Sequence, residues 1–378
     1  MRAEFRAEVR EWCRTHIPDD WRQVPDEEFV RFQQEWFQEL RAAGFAVPHW
    51  PAEWGGGMSV PEQIVLYSEL AAHDAPRLVL AFVAIHHAAA TLLAAGTDEQ
   101  RKRHLPAILD GEIWCQGFSE PGAGSDLAAL RTTARKQGDA YVVNGQKLWA
   151  SGAAHADWCL LLARTDPEAP KRHGISYFLL DMTTPGLDVR PIRQATGESH
   201  FCEIFLNDVE IPAANLVGPE NAGWQVAQRT LGAERGMTML ELAERLGNQG
   251  FRRIVQLCAP LDDPVVADRL AMLETELAGL RALCAELVAT DDPGPADASV
   301  VKLYYSELLQ RMTDFGAEVA GLPGQAELHR SASSGWESGA WVLDFVGSWE
   351  WTIPGGTSEI QRTIIGERGL GLPREPAS

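Results

Sequence analysis

The residues of this 378-residue chain best suited to chemistry fall in three short runs and one isolated acid. The first run is Phe118-Ser119-Glu120-Pro121-Gly122-Ala123-Gly124-Ser125-Asp126. Gly122 and Gly124 remove side chains so that backbone N–H groups can approach an anion, and Ser125 adds a hydroxyl donor. Its spacing is not the G-x-G-x-x-G of a dinucleotide-binding turn, and it lies inside a β-patterned stretch. The second run, Asn144-Gly145-Gln146-Lys147-Leu148-Trp149-Ala150-Ser151, offers an aromatic face at Trp149 and a hydroxyl at Ser151. The third is Gly355-Gly356-Thr357-Ser358-Glu359-Ile360-Gln361-Arg362. The isolated acid is Glu234 in Leu231-Gly232-Ala233-Glu234-Arg235, three residues after Leu231 and seven after Ala227, on the apolar face of a helix. A carboxylate there is partly desolvated, which raises its pKa and its basicity toward a carbon acid. A helix-surface glutamate paired with Arg235 or an i+4 partner satisfies the same periodicity, and on periodicity alone is the simpler reading. Glu241 and Glu244 lie further along that helix as weaker candidates.

Three segments of different period must position these groups. The first ~112 residues read as helical: Phe29, Phe32, Trp36 and Leu40 recur at spacings of three and four, and Gly44 is placed to end that helix. A Pro-, Trp- and Gly-rich loop is expected from Ala46 to Gly57, then helices near 61–73, 78–95 and 97–108, the last opened by a Thr97/Gln100 capping box. From Ile113 to about Ala214 the period changes to two. Asn144-Gly145 between two apolar runs predicts a hairpin turn, and further strands are expected at 158–164, 174–181 and 201–206. Beyond Pro219 the helical period returns. Asp263-Pro264 opens a helix carrying Val266, Leu270, Leu273, Leu277, Leu280 and Cys284 along one seam. Val301, Leu308, Met312, Phe315 and Val319 form a second face, and 291–297 reads as the loop between the two helices. The expected architecture is α+β and multidomain: an N-terminal α-helical domain (1–112), a middle antiparallel β-barrel (113–215) and a C-terminal four-helix bundle (216–378).

Composition narrows the function. The 33 Lys+Arg against 53 Asp+Glu leave a net charge of −20, which disfavours nucleic-acid and anionic-membrane partners. Six scattered cysteines without a C-x-x-C pair argue against a zinc or other metal site and for reduced, mostly buried thiols. No apolar run approaches the ~20 residues that span a bilayer, and the first residues lack an apolar signal core, so a cytoplasmic location is expected.

Taken together and in this order, the three runs resemble the acyl-CoA dehydrogenase family of FAD enzymes. Gly96-Thr97-Asp98-Glu99-Gln100 with Leu105-Pro106, and Trp50-Pro51 with Gly55-Gly56, extend the similarity through most of the chain. The resemblance implies that the segment Gln116 to Ser125 lies along the flavin, with Phe118 and Ser119 near the ring and Ser125 at the diphosphate. It places Gly124 in the diphosphate loop, Trp149 over one face of the isoalloxazine and Ser151 at the flavin N5. Thr357 to Glu359 complete the diphosphate and ribose contacts, so Thr357 and Glu359 count among the cofactor residues. Family members abstract an α-proton from an acyl-CoA while the flavin accepts a hydride from the β-carbon.

Two departures from the family pattern matter. Most members place their glutamate base directly before Gly-Thr-Ser, where this chain has Gly355. Isovaleryl-CoA and long-chain acyl-CoA dehydrogenases carry it in a helix before an arginine, which here implies Glu234 as the base. Gly355 keeps its N–H for the thioester carbonyl, and Arg235 matches the CoA-binding edge, so Ser125, Arg235 and Gly355 are the implied substrate contacts. The second departure concerns the segments that donate to a neighbour's FAD: no Arg-x-x-Phe-Gly follows the base-bearing helix, and Glu318 and Leu322 replace the Gln and second Gly of Gln-x-x-Gly-Gly. That pattern resembles the α2β2 acyl-CoA dehydrogenases of bacterial sterol side-chain breakdown, as does the ending Gly369-Leu370-Gly371-Leu372-Pro373. The expected assembly is therefore a tetramer, α2β2 with a paralogous chain or a homotetramer, passing electrons to an electron-transfer flavoprotein. The alternatives are a subunit with little activity alone and a flavin monooxygenase of the same fold, against which Glu234 and Trp149 argue.

Overall fold

The computed structural model describes residues 2–232, 237–290, 294, 296–326 and 329–374. The chain forms two compact units, one of Val30–Val47 and Leu78–Glu234, the other of Met1–Phe29, Pro48–Arg77 and Arg235–Ser378.

The first unit carries the sheet. Its strands are β1 (Trp114–Gly117), β2 (Thr133–Gln137), β3 (Ala140–Ser151), β4 (Trp158–Arg164), β5 (Ile175–Asp181), β6 (Leu187–Ile192), β7 (Phe201–Pro212) and β8 (Leu216–Val217). They follow the order β6-β7-β3-β2-β4-β5-β8, with β1 also paired to β4. Most pairings are antiparallel, as the alternating pattern predicts. Within this mainly antiparallel sheet two pairings differ: β1 runs parallel to β4, and β2 meets β4 in parallel at Thr133 and Arg164. Parallel neighbours need a long crossover, and residues 118–157 supply one between β1 and β4. β4 and β5 are buried along nearly their whole length, which is why they read as continuous apolar runs rather than alternating ones.

The hairpin lies elsewhere than expected. Asn144 and Gly145 are not a turn but part of β3, and the turn joining β2 to β3 is at Gly138-Asp139. Gly138 has φ +59°, so a Gly-Asp pair supplies the turn geometry that was ascribed to Asn-Gly. Asn144 instead sits where the β3–β7 register shifts, its side chain exchanging hydrogen bonds with Asp208 at 2.8 and 2.9 Å. Gly145 is required there because a Cβ would strike Thr132.

Helices of this unit match the sequence pattern closely at Phe29–Ala42, where Trp36 and Leu40 are buried and Gly44 ends the run at φ +76°. The Thr97/Gln100 capping box opens Asp98–Leu109 as expected, with hydrogen bonds of 3.2 and 3.0 Å. The helix expected over 78–95 begins later and starts as a π-helical stretch, Val83–Ala88, before continuing as Ala89–Ala95.

The second unit is helical. Asp263 caps Pro264–Ala289 through a 2.8 Å bond from the Val265 N–H, and Leu270, Leu273, Leu277, Leu280 and Cys284 are buried along its seam. Val301, Leu308, Met312 and Phe315 of Asp297–Gln325 join the same core. Residues 291–293 and 295 of the expected interhelical loop lie outside the described residues. Helix Val60–Ala72 belongs here and begins with a Ser59/Glu62 capping box. Its buried Glu69 accepts from Arg6 and Arg10 of the helix Arg2–His16. Among the described residues no helix is long and apolar enough to cross a membrane.

Candidate active site

The sheet unit brings the first two motif runs together. Leaving β1, the chain makes a tight turn in which the Glu120 and Ala123 backbones exchange hydrogen bonds of 3.1 and 3.0 Å. Leu148 of β3 donates its N–H to the Ser119 carbonyl at 2.9 Å, so the loop lies against the strand that bears Trp149. Gly122, Gly124 and Ser125 are exposed on the loop. Neither glycine has φ in the left-handed region, and a Cβ at either would meet nothing within 4 Å. The fold itself therefore makes no demand for glycine at these positions. Gly117, by contrast, is packed so closely that a Cβ would sit 2.9 Å from the Cys159 Sγ.

Trp149 is 55% exposed and has φ +64°, a left-handed backbone for a bulky side chain. It stands where the β3–β7 register shifts between Lys147 and Ala150, a bulge of the kind that re-aims a side chain next to a functional site. Its ring meets Phe201 edge-on at 6.1 Å, leaving its faces free of other ring contacts among the described residues. Ser151 is exposed two residues on. Phe118 is buried with its ring edge-on to Tyr177 at 5.7 Å, and Ser119 is half-buried. The Gln116 side chain has a buried Nε2 without a hydrogen-bond partner.

One pair escaped the sequence reading. Lys147 is fully buried, and its ammonium lies 2.8 Å from the Glu120 carboxylate and 3.2 Å from the Phe118 carbonyl. Glu120 also accepts from the Arg131 and Thr132 N–H groups at 2.6 and 2.9 Å. Burial acts to raise the Glu120 pKa, but the Lys147 charge and these hydrogen bonds outweigh it and hold the carboxyl below its ordinary range. Burial lowers the Lys147 pKa against the pull of Glu120. Separated by 27 residues, the partners form no local motif. The available signal was a lysine at an inward position of β3.

The helical unit holds the third run. Gly355 and Gly356 adopt φ +67° and +96°, and both carbonyls accept from the Gln361 amide, at 2.8 and 3.2 Å. Lys302 adds a 2.8 Å bond to the Gly356 carbonyl. Thr357 caps the helix Ser358–Ile364, its hydroxyl accepting from the Ile360 N–H at 3.3 Å. Hydrogen bonds from its own N–H and from Thr357 hold the exposed Glu359 carboxyl below its ordinary range. Glu234 and Arg235 lie outside the described residues. The weaker candidates are engaged locally: Glu241 accepts from buried Arg245 at 2.8 Å, and Glu244 from Arg281 at 3.1 Å.

FAD can be tested against these features. Two glycines that the fold does not itself demand, an exposed Trp held in a costly backbone conformation and an unanswered buried amide on Gln116 form a sheet-borne surface suited to a flat ring and an anionic tail. The residues fit. Among the described residues no cluster of His, Cys, Asp and Glu is placed to hold a metal ion.

Comparison with known proteins gives the class. The N-terminal domain of acyl-CoA dehydrogenases matches residues 2–112, the middle domain residues 115–209 and the C-terminal domain residues 221–370. The chain belongs to the acyl-CoA dehydrogenase family; it is an enzyme of that family, and its cofactor is FAD. Among relatives, it is 38% identical to the acyl-CoA dehydrogenase IpdE1 of Mycolicibacterium smegmatis, over 98% of each chain. Among solved structures, it resembles the Tcur3481-Tcur3483 steroid ACAD with a TM-score of 0.87 and 31% identity, over 99% of this chain and 98% of that one. It also resembles the ChsE4-ChsE5 complex from Mycobacterium tuberculosis, with a TM-score of 0.80 and 30% identity over 99% and 98% of the two chains.

Proposed function

We propose that the chain carries out the α,β-dehydrogenation of an acyl-CoA thioester to a trans-2-enoyl-CoA, with Glu234 as the base. The observation that carries this reading is Trp149, exposed and held at φ +64° beside Ser151 and the glycine loop. Strain at a solvent-facing aromatic is retained where a ligand uses it. The FAD, when bound, supplies the two-electron acceptor. In this reading Gly124, Ser125, Thr357 and Glu359 bind its diphosphate and ribose, and Gln116, Phe118 and Ser119 line the ring. Trp149 covers one ring face and excludes water, while the Ser151 hydroxyl donates to the ring edge. Glu234 takes the α-proton. The Gly355 N–H steadies the thioester oxygen as negative charge develops there, a donor worth about 3 kcal/mol in comparable sites. Ser125 and Arg235 hold the CoA portion.

Gly355 supports moving the base away from the C-terminal turn. A glutamate there would have to adopt φ +67°, which non-glycine residues take only at a cost of about 1–2 kcal/mol. Glu241 and Glu244 are each paired to an arginine, which weakens them as alternatives to Glu234.

A second reading concerns assembly. Glu318 is engaged with Arg269 at 2.5 Å, and Leu322 beside it is 80% exposed. A carboxylate at that position suits a surface ion pair better than a neighbour's flavin diphosphate. This favours a heteromer with a paralogous chain over a homotetramer, and the likeness to a steroid ACAD and to the ChsE4-ChsE5 complex points the same way. By the likeness to the steroid ACAD the acyl group is a ring-bearing, steroid-derived one, and the electron acceptor in this reading is the electron-transfer flavoprotein that the family resemblance implies. The test is to purify the chain alone and with a co-expressed paralogue, record the visible flavin spectrum, and add acyl-CoAs anaerobically. Bleaching of the chain alone by a thioester supports a self-sufficient dehydrogenase. Bleaching only in the paired form supports the heteromer, and no bleaching by any acyl-CoA in either form removes the dehydrogenase reading.

A further inference from the structure

Lysine is almost never fully buried in a folded protein unless its charge is answered. Lys147 is fully buried, and its stem lies over Gly117, where a Cβ would stand 3.5 Å from the Lys147 Cγ. Its ammonium reaches two points of the glycine loop, the Glu120 carboxylate at 2.8 Å and the Phe118 carbonyl at 3.2 Å. On its other side Lys147 is the residue at which the β3–β7 register breaks, two positions before Trp149. Glu120 in turn ties the far end of the loop, accepting from the N–H groups of Arg131 and Thr132. A single buried ion pair thus touches both ends of the loop and the root of the bulge.

We propose that the Glu120–Lys147 pair is a positioning device that locks the glycine loop and the Trp149 bulge into one rigid unit for the flavin. The inference rests on the reading that these two segments hold FAD. Its physical basis is the asymmetry of buried charge: an intact pair contributes modestly to stability, whereas removing one partner leaves an uncompensated charge and is strongly unfavourable locally. Further along, the loop is also tied to β4 by Arg164, which donates to the Ala128 and Leu130 carbonyls at 2.8 and 3.2 Å, and Lys171 pairs with Asp126, but none of these bonds reaches β3. Toward β3 it is also linked by the 2.9 Å bond from the Leu148 N–H, next in sequence to Lys147, to the Ser119 carbonyl, next in sequence to Glu120. If the pair is lost, loop and bulge separate together. An ordinary structural pair in a sheet would loosen only its own strand.

The test uses the full chain, with its paralogue if the flavin is retained only in the complex, and compares the wild type with Lys147→Met and Glu120→Gln. Hydrogen exchange is followed across residues 117–126, 147–151 and 175–181, and flavin retention is followed by dilution fluorescence. The expected result in both variants is exchange at least about tenfold faster in the loop and the bulge together, with β5 unchanged, and flavin retention weakened about tenfold or more. Glu120→Gln keeps the shape of the site and serves if Lys147→Met does not fold. Loosening of one segment without the other, or uniform loosening that includes β5, overturns the locking role while leaving the flavin assignment intact. Coupled loosening with unchanged flavin retention overturns the flavin assignment and the proposal with it.

Discussion

Gly122 and Gly124 on the sheet unit stand in open space with ordinary backbone angles, whereas Gly355 and Gly356 on the helical unit hold φ +67° and +96°. In the second pair the chain itself takes up the carbonyls, through Gln361 and Lys302, and the left-handed backbone favours glycine over other residues. In the first pair nothing intramolecular explains the missing side chains. A glycine the fold does not demand is reserved for something approaching from outside, and a glycine the fold does demand says little about ligands. That difference separates a surface prepared for a cofactor from a turn prepared to cap a helix and present one N–H group.

The contrast has its largest consequence for catalysis. If the C-terminal turn is committed to its own geometry, the base must lie elsewhere, and Glu234→Gln is expected to slow anaerobic flavin bleaching by about 10²–10⁴-fold with flavin retained. Exchange of the substrate α-proton with deuterated solvent should fall in parallel. Bleaching within a factor of about three of the wild type would return the search for a base to other residues.

Two buried carboxylates, one in each unit, are also held differently. Glu120 faces a lysine and is held below its ordinary range, so its contribution to stability is present at neutral pH and is lost as pH falls through that range. Asp344, on the helix Trp341–Ser348, faces the Ser338 hydroxyl and the Gly339 N–H at 2.7 and 2.8 Å. Burial pushes it up to about 7, against those hydrogen bonds and Arg330. A folded pKa above the unfolded one gives a contribution fully present below about pH 4 and lost as pH rises toward 7, at a slope of up to about 1.4 kcal/mol per pH unit. Urea midpoints measured from pH 4 to 7.5 should therefore show Asp344→Asn losing this slope relative to the wild type. Parallel curves for the two proteins would mean that Asp344 is ionised throughout.

How much of this was legible beforehand depended on the range of the interaction. Local signals held: the Thr97/Gln100 and Asp263-Pro264 helix starts, and the seam from Leu270 to Cys284, lie within a few residues of the atoms that make them work. The hairpin was misplaced because Asn144-Gly145 and Gly138-Asp139 carry nearly the same turn chemistry, and only pairing with β7 decides between them. The parallel placement of β1 beside β4 and the pairing of Glu120 with Lys147 are non-local, and no spacing in the chain encodes them. The motif residues lie in contiguous runs and so could be picked out from the sequence as candidates, but the backbone strain at Trp149 was visible only in three dimensions.

The glycine contrast itself can be tested by placing the same methyl group at one member of each pair. Gly356→Ala forces alanine into φ +96° and brings its Cβ to 2.7 Å from the Gln361 amide, so a loss of about 1–2 kcal/mol in unfolding free energy is expected. Gly124→Ala meets neither strain nor neighbour, so apo-protein stability should stay within about 0.5 kcal/mol of the wild type. Flavin retention should reverse the ranking, weakening about tenfold in Gly124→Ala through lost backbone approach to the diphosphate, an energy of about 1.4 kcal/mol. The helical-unit variant, once folded, should release flavin more slowly than Gly124→Ala does. Two methyl groups would then separate a glycine kept for folding from one kept for a ligand, and equal effects of both variants on stability would erase the distinction.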